Sequence, residues 1–226
     1  MDMSNVKTVF DNNVQKNVKK ITDANGNILW YKVPDGYRKV EYLESNDGTS
    51  YILTDILPTD TIKAELKFRM NSTHRTPGGI FGAFPSNGNR FQIYGASSSI
   101  ALGIGGGYNG INYKYSLSTS THVVILDGKN RRVSLDGVLQ EATTGTYSSP
   151  VGRNKLALFA SNQDSGKIPD NSKIYFVRIW DDDRLTHHFT PVVRNSDDKP
   201  GMYDLVNDVF YTNAGTGEFT YGGGGN

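Results

Sequence analysis

Gly201-Met202-Tyr203-Asp204-Leu205-Val206-Asn207-Asp208-Val209-Phe210-Tyr211-Thr212-Asn213-Ala214-Gly215-Thr216-Gly217 reads as a hairpin. Tyr203, Leu205 and Val206 lead in, Asn207-Asp208 turns, and Val209-Phe210-Tyr211 returns before a glycine-rich stop. Asn and Asp suit such a turn because their side chains bond their own backbone. Just upstream, Ser172-Lys173-Ile174-Tyr175-Phe176-Val177-Arg178-Ile179-Trp180 is the most aromatic and β-branched run in the chain. It is apolar on both faces, which predicts a central strand with partners on either side. The hairpin is expected to close the sheet around it.

Further out, Ile62-Lys63-Ala64-Glu65-Leu66-Lys67-Phe68-Arg69-Met70 alternates cleanly. Ile62, Ala64, Leu66, Phe68 and Met70 share one face, and Lys63, Glu65, Lys67 and Arg69 share the other, as in a half-buried antiparallel strand. Further strands are predicted at residues 79–84, 89–94, 99–104, 111–116, 122–127, 131–136, 156–160 and 185–193. Asp127-Gly128-Lys129-Asn130 and Asp136-Gly137 mark tight turns between them. Many short strands joined by Gly, Asn and Asp turns, without helical periods, predict an all-β, antiparallel β-sandwich.

The totals agree. The 226 residues suffice for one large β domain, or a domain plus an appendage. Tyr (13), Phe (10) and Gly (25) favour strands and turns over helices. With 24 basic against 23 acidic residues the net charge is +1, which argues against nucleic acid or an anionic membrane as a dominant partner. No cysteine is present, so disulfides, cysteine-containing zinc sites and thiol catalysis are excluded. No stretch approaches the roughly 20 apolar residues of a membrane span. Met1-Asp2-Met3-Ser4-Asn5-Val6-Lys7 lacks the apolar core of a signal peptide, so the expected route out of a cell is lysis or a particle.

Residues 1–33 read as a separate small unit. Val6-Lys7-Thr8-Val9-Phe10 is a short strand candidate. Asn17-Val18-Lys19-Lys20-Ile21-Thr22-Asp23 and Asn27-Ile28-Leu29-Trp30-Tyr31 flank Ala24-Asn25-Gly26, and Asn-Gly between such runs signals a hairpin. The piece is too small to be stable alone. It is expected to pack on the main domain, on its own copy or on another protein. Val33-Pro34-Asp35-Gly36 is a linker of turn residues, and residues 34–226 form the sandwich domain.

The order of motifs is also familiar. An Ile-Tyr-Phe-x-x-Ile-Trp strand (174–180) precedes an acidic turn, a strand carrying Phe189-Thr190-Pro191, Gly201-Met202-Tyr203-Asp204-Leu205 and Asn213-Ala214-Gly215-Thr216-Gly217. Upstream stand Gly36-Tyr37-Arg38-Lys39-Val40-Glu41-Tyr42-Leu43-Glu44-Ser45 and Thr49-Ser50-Tyr51-Ile52-Leu53-Thr54-Asp55-Ile56. Over about residues 36–222 this resembles the concanavalin A-like (laminin-G/lectin-like jelly-roll) domain of phage and prophage virion proteins. The resemblance implies a jelly-roll sandwich in a tail, fibre or head-decoration protein, attached to other virion proteins through residues 1–33. It further implies synthesis in the bacterial host cytoplasm and exposure on the particle as a homo-oligomer. It names no ligand.

Several constellations are weighed for chemistry. Gly105-Gly106-Gly107-Tyr108-Asn109-Gly110 fits G-x-G-x-x-G. The phosphate-cradling form needs a following helix, whereas Ile111-Asn112-Tyr113-Lys114-Tyr115 alternates like a strand. Asp181-Asp182-Asp183 invites a calcium reading, but three adjacent residues of an extended chain do not converge on one ion, and a solvated turn is favoured. Asp197-Asp198 is a weaker case. His187-His188 point to opposite strand faces, and His74 and His122 stand apart; no metal site is assigned. Of the five glutamates (Glu41, Glu44, Glu65, Glu141, Glu218) none has an acidic residue two positions away, unlike the paired carboxylates of sandwich-fold glycosidases. No G-x-S-x-G is present. No enzyme, catalytic residue or cofactor is expected.

Binding remains. On residues 89–94, Phe91 and Ile93 are expected to face the core, leaving Arg90, Gln92 and Tyr94 on the other face with Tyr108, Asn109 and Tyr113 nearby. Aromatic plates beside amide and guanidinium donors suit a sugar, whose C–H face stacks while its hydroxyls hydrogen-bond. The expectation is a virion protein adhering to bacterial surface glycan or host mucus. A purely architectural decoration protein is the alternative, and a glycosidase-like enzyme the disfavoured third.

Overall fold

The computed structural model describes residues 20–24, 28–72, 78–85, 89–96, 99–105, 111–116, 118–141, 152–163 and 166–223. They are all strand, turn or loop, with no helix among them. Two antiparallel sheets face each other as a sandwich.

The larger sheet runs β13 (Val138–Glu141), β12 (Arg132–Leu135), β11 (Thr121–Asp127), β6 (Ile62–Met70), β17 (Ser172–Asp181), β18 (Arg184–Arg194), β19 (Lys199–Asp204), β20 (Val209–Thr212). β17 is central, as its composition predicts. β6 runs along one side; the other is shared by β4 (Tyr42–Ser45) and β18. β3 (Tyr37–Lys39) joins β18, and β21 (Phe219–Gly222) joins β4. The smaller sheet runs β10 (Ile111–Ser116), β9 (Ser99–Gly105), β8 (Arg90–Ala96), β7 (Gly78–Phe84), β14 (Ala157–Leu158), β5 (Ile52–Leu53). β15 (Ala160–Gln163) and β16 (Gly166–Pro169) form an arm, with β15 pairing β7 in parallel.

The core lies between the sheets. Leu66, Phe68, Val177 and Phe189 from the larger meet Phe81, Phe91, Ile93 and Leu102 from the smaller, all buried. Burying each such side chain contributes about 1.5–3 kcal/mol.

Two readings are corrected and one is refined. β17 is central and apolar on both faces as read, but its apolar residues do not alternate strictly: Ile174, Val177 and Ile179 face the core, while Tyr175, Phe176 and Trp180 are half-buried. A bulge between Ile174 and Phe176 inserts Tyr175, so two adjacent aromatics sit on the outer side. The predicted strand at 156–160 is two strands broken at Phe159, whose φ of 63° reverses the chain while its ring packs on Phe219 at 4.8 Å. The 201–217 hairpin turns earlier than expected: β19 ends at Asp204, so Leu205 and Val206 lie in the turn.

β1 (Lys20–Thr22) and β2 (Ile28–Tyr31) form a two-stranded antiparallel sheet. The strand candidate at 6–10 and the Asn25-Gly26 turn lie outside the described residues. The described part of the hairpin packs on the main domain. Ile28, Tyr31 and Val33 pack with Tyr37 and Phe210 against Val192, Tyr203 and Leu205. Lys20 Nζ donates to the Leu205 carbonyl at 2.8 Å, and the Tyr31 and Thr190 hydroxyls are 3.0 Å apart. Val192 and Tyr203 lie in strand register with Lys39 and Thr190, so this second cluster sits outside the larger sheet, away from the main core.

Candidate functional site

Phe91 and Ile93 are buried in the core, so β8 turns Arg90, Gln92 and Tyr94 to the outer face of the smaller sheet, as expected. The three meet different fates. Gln92 is buried: its flanking partners on β7 and β9 are Gly82 and Gly103, and its Oε1 accepts the Ser161 hydroxyl at 2.7 Å. The β15 arm passes close over β7, where a Cβ on Gly79 would come 1.9 Å from Ser161 N. Arg90 lays its stem over Gly103, donates Nε–H to the Gly105 carbonyl at 3.2 Å and holds its guanidinium 5.6 Å from the Phe84 ring centre. Burial lowers its pKa.

Tyr94 stays half-exposed, and burial raises its phenol pKa. Its cross-strand neighbours are Gly79 and Ala101. The β15 backbone fills the space over Gly79; on the β9 side the neighbour is a single methyl. Tyr113 falls in register with Leu102 and hence with Ile93, whereas Asn112 and Lys114 continue the rows of Gln92 and Tyr94. Tyr108 and Asn109 lie outside the described residues. Gly105 (φ 75°) ends β9 and the next described element is strand β10, so no helix follows the glycine run.

The acidic and histidine motifs have structural partners. Asp181 accepts the Thr59 hydroxyl at 2.6 Å and that of Thr61, which hold its pKa low. Asp182 and Asp183 each accept Lys129 Nζ at 2.7 Å. Their φ values of 47° and 65° make the tight turn between β17 and β18. Among the described residues no three His, Asp or Glu side chains converge as metal ligands. His187 and His188 diverge as expected. His187 Nδ1 lies 2.7 Å from Asp204 Oδ2, and its ring stacks on Phe189. His188 packs under Tyr31.

Asp204 is fully buried and accepts four donors: the His188 amide (3.0 Å), the Val206 amide (3.0 Å), Asn207 Nδ2 (2.7 Å) and His187. Burial alone would raise its pKa, but these bonds hold it below the usual carboxylate value. His122 Nδ1 meets Asp136 at 2.7 Å, and His74 lies outside the described residues. A cleft of about 420 Å³ is lined by Asp197, Asp198, Lys199, Thr212, Asn213 and Glu218, among others. Two of its carboxylates are already paired, Asp197 with Arg194 and Asp198 with Arg38.

Sequence reasoning missed the outer face of the larger sheet. There β6, β17 and β4 interleave cations and aromatic rings. Lys63 Nζ is 4.7 Å from the Trp180 ring centre, Arg178 4.7 Å from Phe176, Lys67 5.2 Å from Tyr175 and Lys173 4.1 Å from Tyr42. The alternation of β6 already put its four charges on one face. The register that sets them against β17 was not in the sequence.

No family model matches the chain, and no curated protein matches it in sequence. Among solved structures the chain is similar to the CBM40 of Ruminococcus gnavus IT-sialidase bound to α2,3-sialyllactose. That match has 12% identity, 62% of this chain, 89% of that chain and a TM-score of 0.46. For the mouse laminin α1 chain, domains LG4–5, identity is 13% over 72% of this chain and 50% of that chain, with a TM-score of 0.48. For the native heptameric SAP-like pentraxin of Limulus polyphemus it is 12% over 82% and 95%, with a TM-score of 0.48.

Proposed function

We propose that the chain is a non-catalytic glycan-binding sandwich displayed on a phage particle, with residues 1–33 contributing attachment to other virion proteins. The observation that supports sugar binding is Tyr94. Its half-exposed ring stands beside Ala101 on one flank, on the same strand row as the Arg90 guanidinium. Arg90 lies four residues along β8, about 13 Å away, so a sugar stacked on Tyr94 would meet the guanidinium only through further units of a longer glycan. Weak single contacts multiplied over many copies would give useful adhesion.

A second reading, an architectural protein that binds no sugar, draws on Gln92 and Arg90. Gln92 is buried against Ser161, and Arg90 Nε is committed to a backbone carbonyl. A glycan array probed with the full-length protein at multivalent display separates the two. Binding lost in Tyr94→Ala supports the adhesin at this site. Binding unchanged in that variant moves the site elsewhere on the chain. No binding at all leaves the architectural reading.

A further inference from the structure

The outer face of the larger sheet contains an arrangement that folding alone disfavours. Arg69 on β6 lies directly across from Lys173 on β17, and Lys67 stands two residues along on the same face, about 7 Å away. Like charges directly opposite on a sheet repel. At Lys173 burial and, least of all, Arg69 lower the pKa, but Tyr42 and Glu44 outweigh them and the net shift is upward, so the strain is left at Arg69 and Lys67. Lys173 is paired with Glu44 at 3.6 Å and Arg178 with Glu65 at 3.3 Å. Lys67 and Arg69 have no carboxylate partner among the described residues.

We propose that Lys67, Arg69 and Lys173 form a binding site for the acid groups of an anionic polysaccharide, separate from the Tyr94 face and independent of it. An anion between the three cations would relieve the cross-strand repulsion and accept charge-assisted hydrogen bonds from Lys67 and Arg69. The neighbours select the polymer. Glu44 and Thr220 continue the row of Arg69 and Lys173, and Glu65 lies two residues beyond Lys67 on the same face of β6. These carboxylates accept the hydroxyls that a sugar donates, whereas a DNA backbone has phosphates at every step and no hydroxyl to offer them. Nor can a base stack freely here, because Lys67 already lies over Tyr175 and Lys173 over Tyr42.

Affinity electrophoresis of the full chain through gels containing polygalacturonate, uncharged dextran or single-stranded DNA tests this. Polygalacturonate should retard the chain at about 20 mM salt and release it at about 500 mM, because screening shortens the reach of exposed charges. Dextran should have no effect. Lys67→Gln with Arg69→Gln should weaken retention at least about tenfold, since one charge-assisted contact is worth about that factor. A charge-matched control, Lys155→Gln with Lys199→Gln, should retain it. The Lys67/Arg69 variant should melt no lower than the parent, so lost retention would not be lost folding. Absent retention by polygalacturonate, or equal retention of both double variants, overturns the site. Retention by DNA as strong as by polygalacturonate overturns the choice of polymer.

Discussion

The edge of Tyr31 meets the His188 ring with centroids 6.0 Å apart, at the seam between the N-terminal hairpin and the outer face of the larger sheet. His188 is 4% exposed, and its Nδ1 is buried without a hydrogen-bond partner among the described residues. Burial first, then the charges of Arg178 and Lys39, push its pKa down to about 4, against the opposing pull of Asp204.

This seam should weaken in acid. The folded pKa of about 4 lies below the ordinary 6.5, so the unfolded chain takes up the proton first as pH falls. The contribution of neutral His188 is complete above pH 6.5 and is lost as pH drops from 6.5 towards 4. The loss amounts to about 3 kcal/mol at the lower end. Urea titrations at several pH values should show this slope, and His188→Phe should flatten it. An equal slope in His188→Phe would assign the acid sensitivity to other groups.

Asp204→Asn should cost about 3 kcal/mol, because it replaces a buried acceptor of four donors with an amide whose NH2 must face one of them. The turn after β19 and the docking of Leu205 depend on the same carboxylate. Chemical denaturation of Asp204→Asn beside Asp208→Asn, an exposed neighbour at the same turn, gives the comparison. The second change should stay within about 0.5 kcal/mol.

Gly217→Ala should destabilise by about 2 kcal/mol, because a Cβ there would lie 1.8 Å from Asp47 Oδ2 and 2.3 Å from Thr49 Oγ1. Asp47 cannot swing away cheaply. It accepts the Thr49, Ser50 and Glu218 amides at 2.8, 3.1 and 3.2 Å, clasping the loop after β4 to the one before β21. A thermal midpoint in Gly217→Ala equal to the parent's would show that this clasp is loose.

The contrast between Asp47 and β6 indicates what the sequence could tell. Strict alternation fixed the faces of β6, and β17 was recognisable as central because its apolar content exceeds what an edge strand can bury. Gly217 and Asp47 are 170 residues apart, and nothing local links them. The same limit hid the candidate sites. β8 revealed which residues face outward, but the burial of Gln92 depends on an arm from Ser161, 69 residues away. The bulge at Tyr175 is one residue of slippage, invisible to a period-2 reading, and it set adjacent aromatics on the outer side of this strand.

Removing residues 1–33 should leave a folded sandwich that is less stable and stickier. The main core draws on none of the described residues of this segment, so its cooperative unfolding should persist. Val192, Tyr203 and Leu205, now 0%, 6% and 4% exposed, would lose the cover of Ile28, Tyr31 and Val33. Uncovering them costs about 3 kcal/mol or more by the usual value per buried side chain. It also creates an apolar patch of the kind that drives association. The truncated chain should therefore bind a hydrophobic dye and run larger in size-exclusion chromatography. Leu29→Ser with Trp30→Ser spares the packed residues Ile28, Tyr31 and Val33, since these two side chains are 45% and 39% exposed and are not part of the second cluster. That variant should keep the parent's stability within about 0.5 kcal/mol. Under the proposed phage-particle role, failure of this variant to join particles would make the exposed side of the hairpin the attachment surface, and normal assembly of both it and the truncation would overturn the attachment role of residues 1–33.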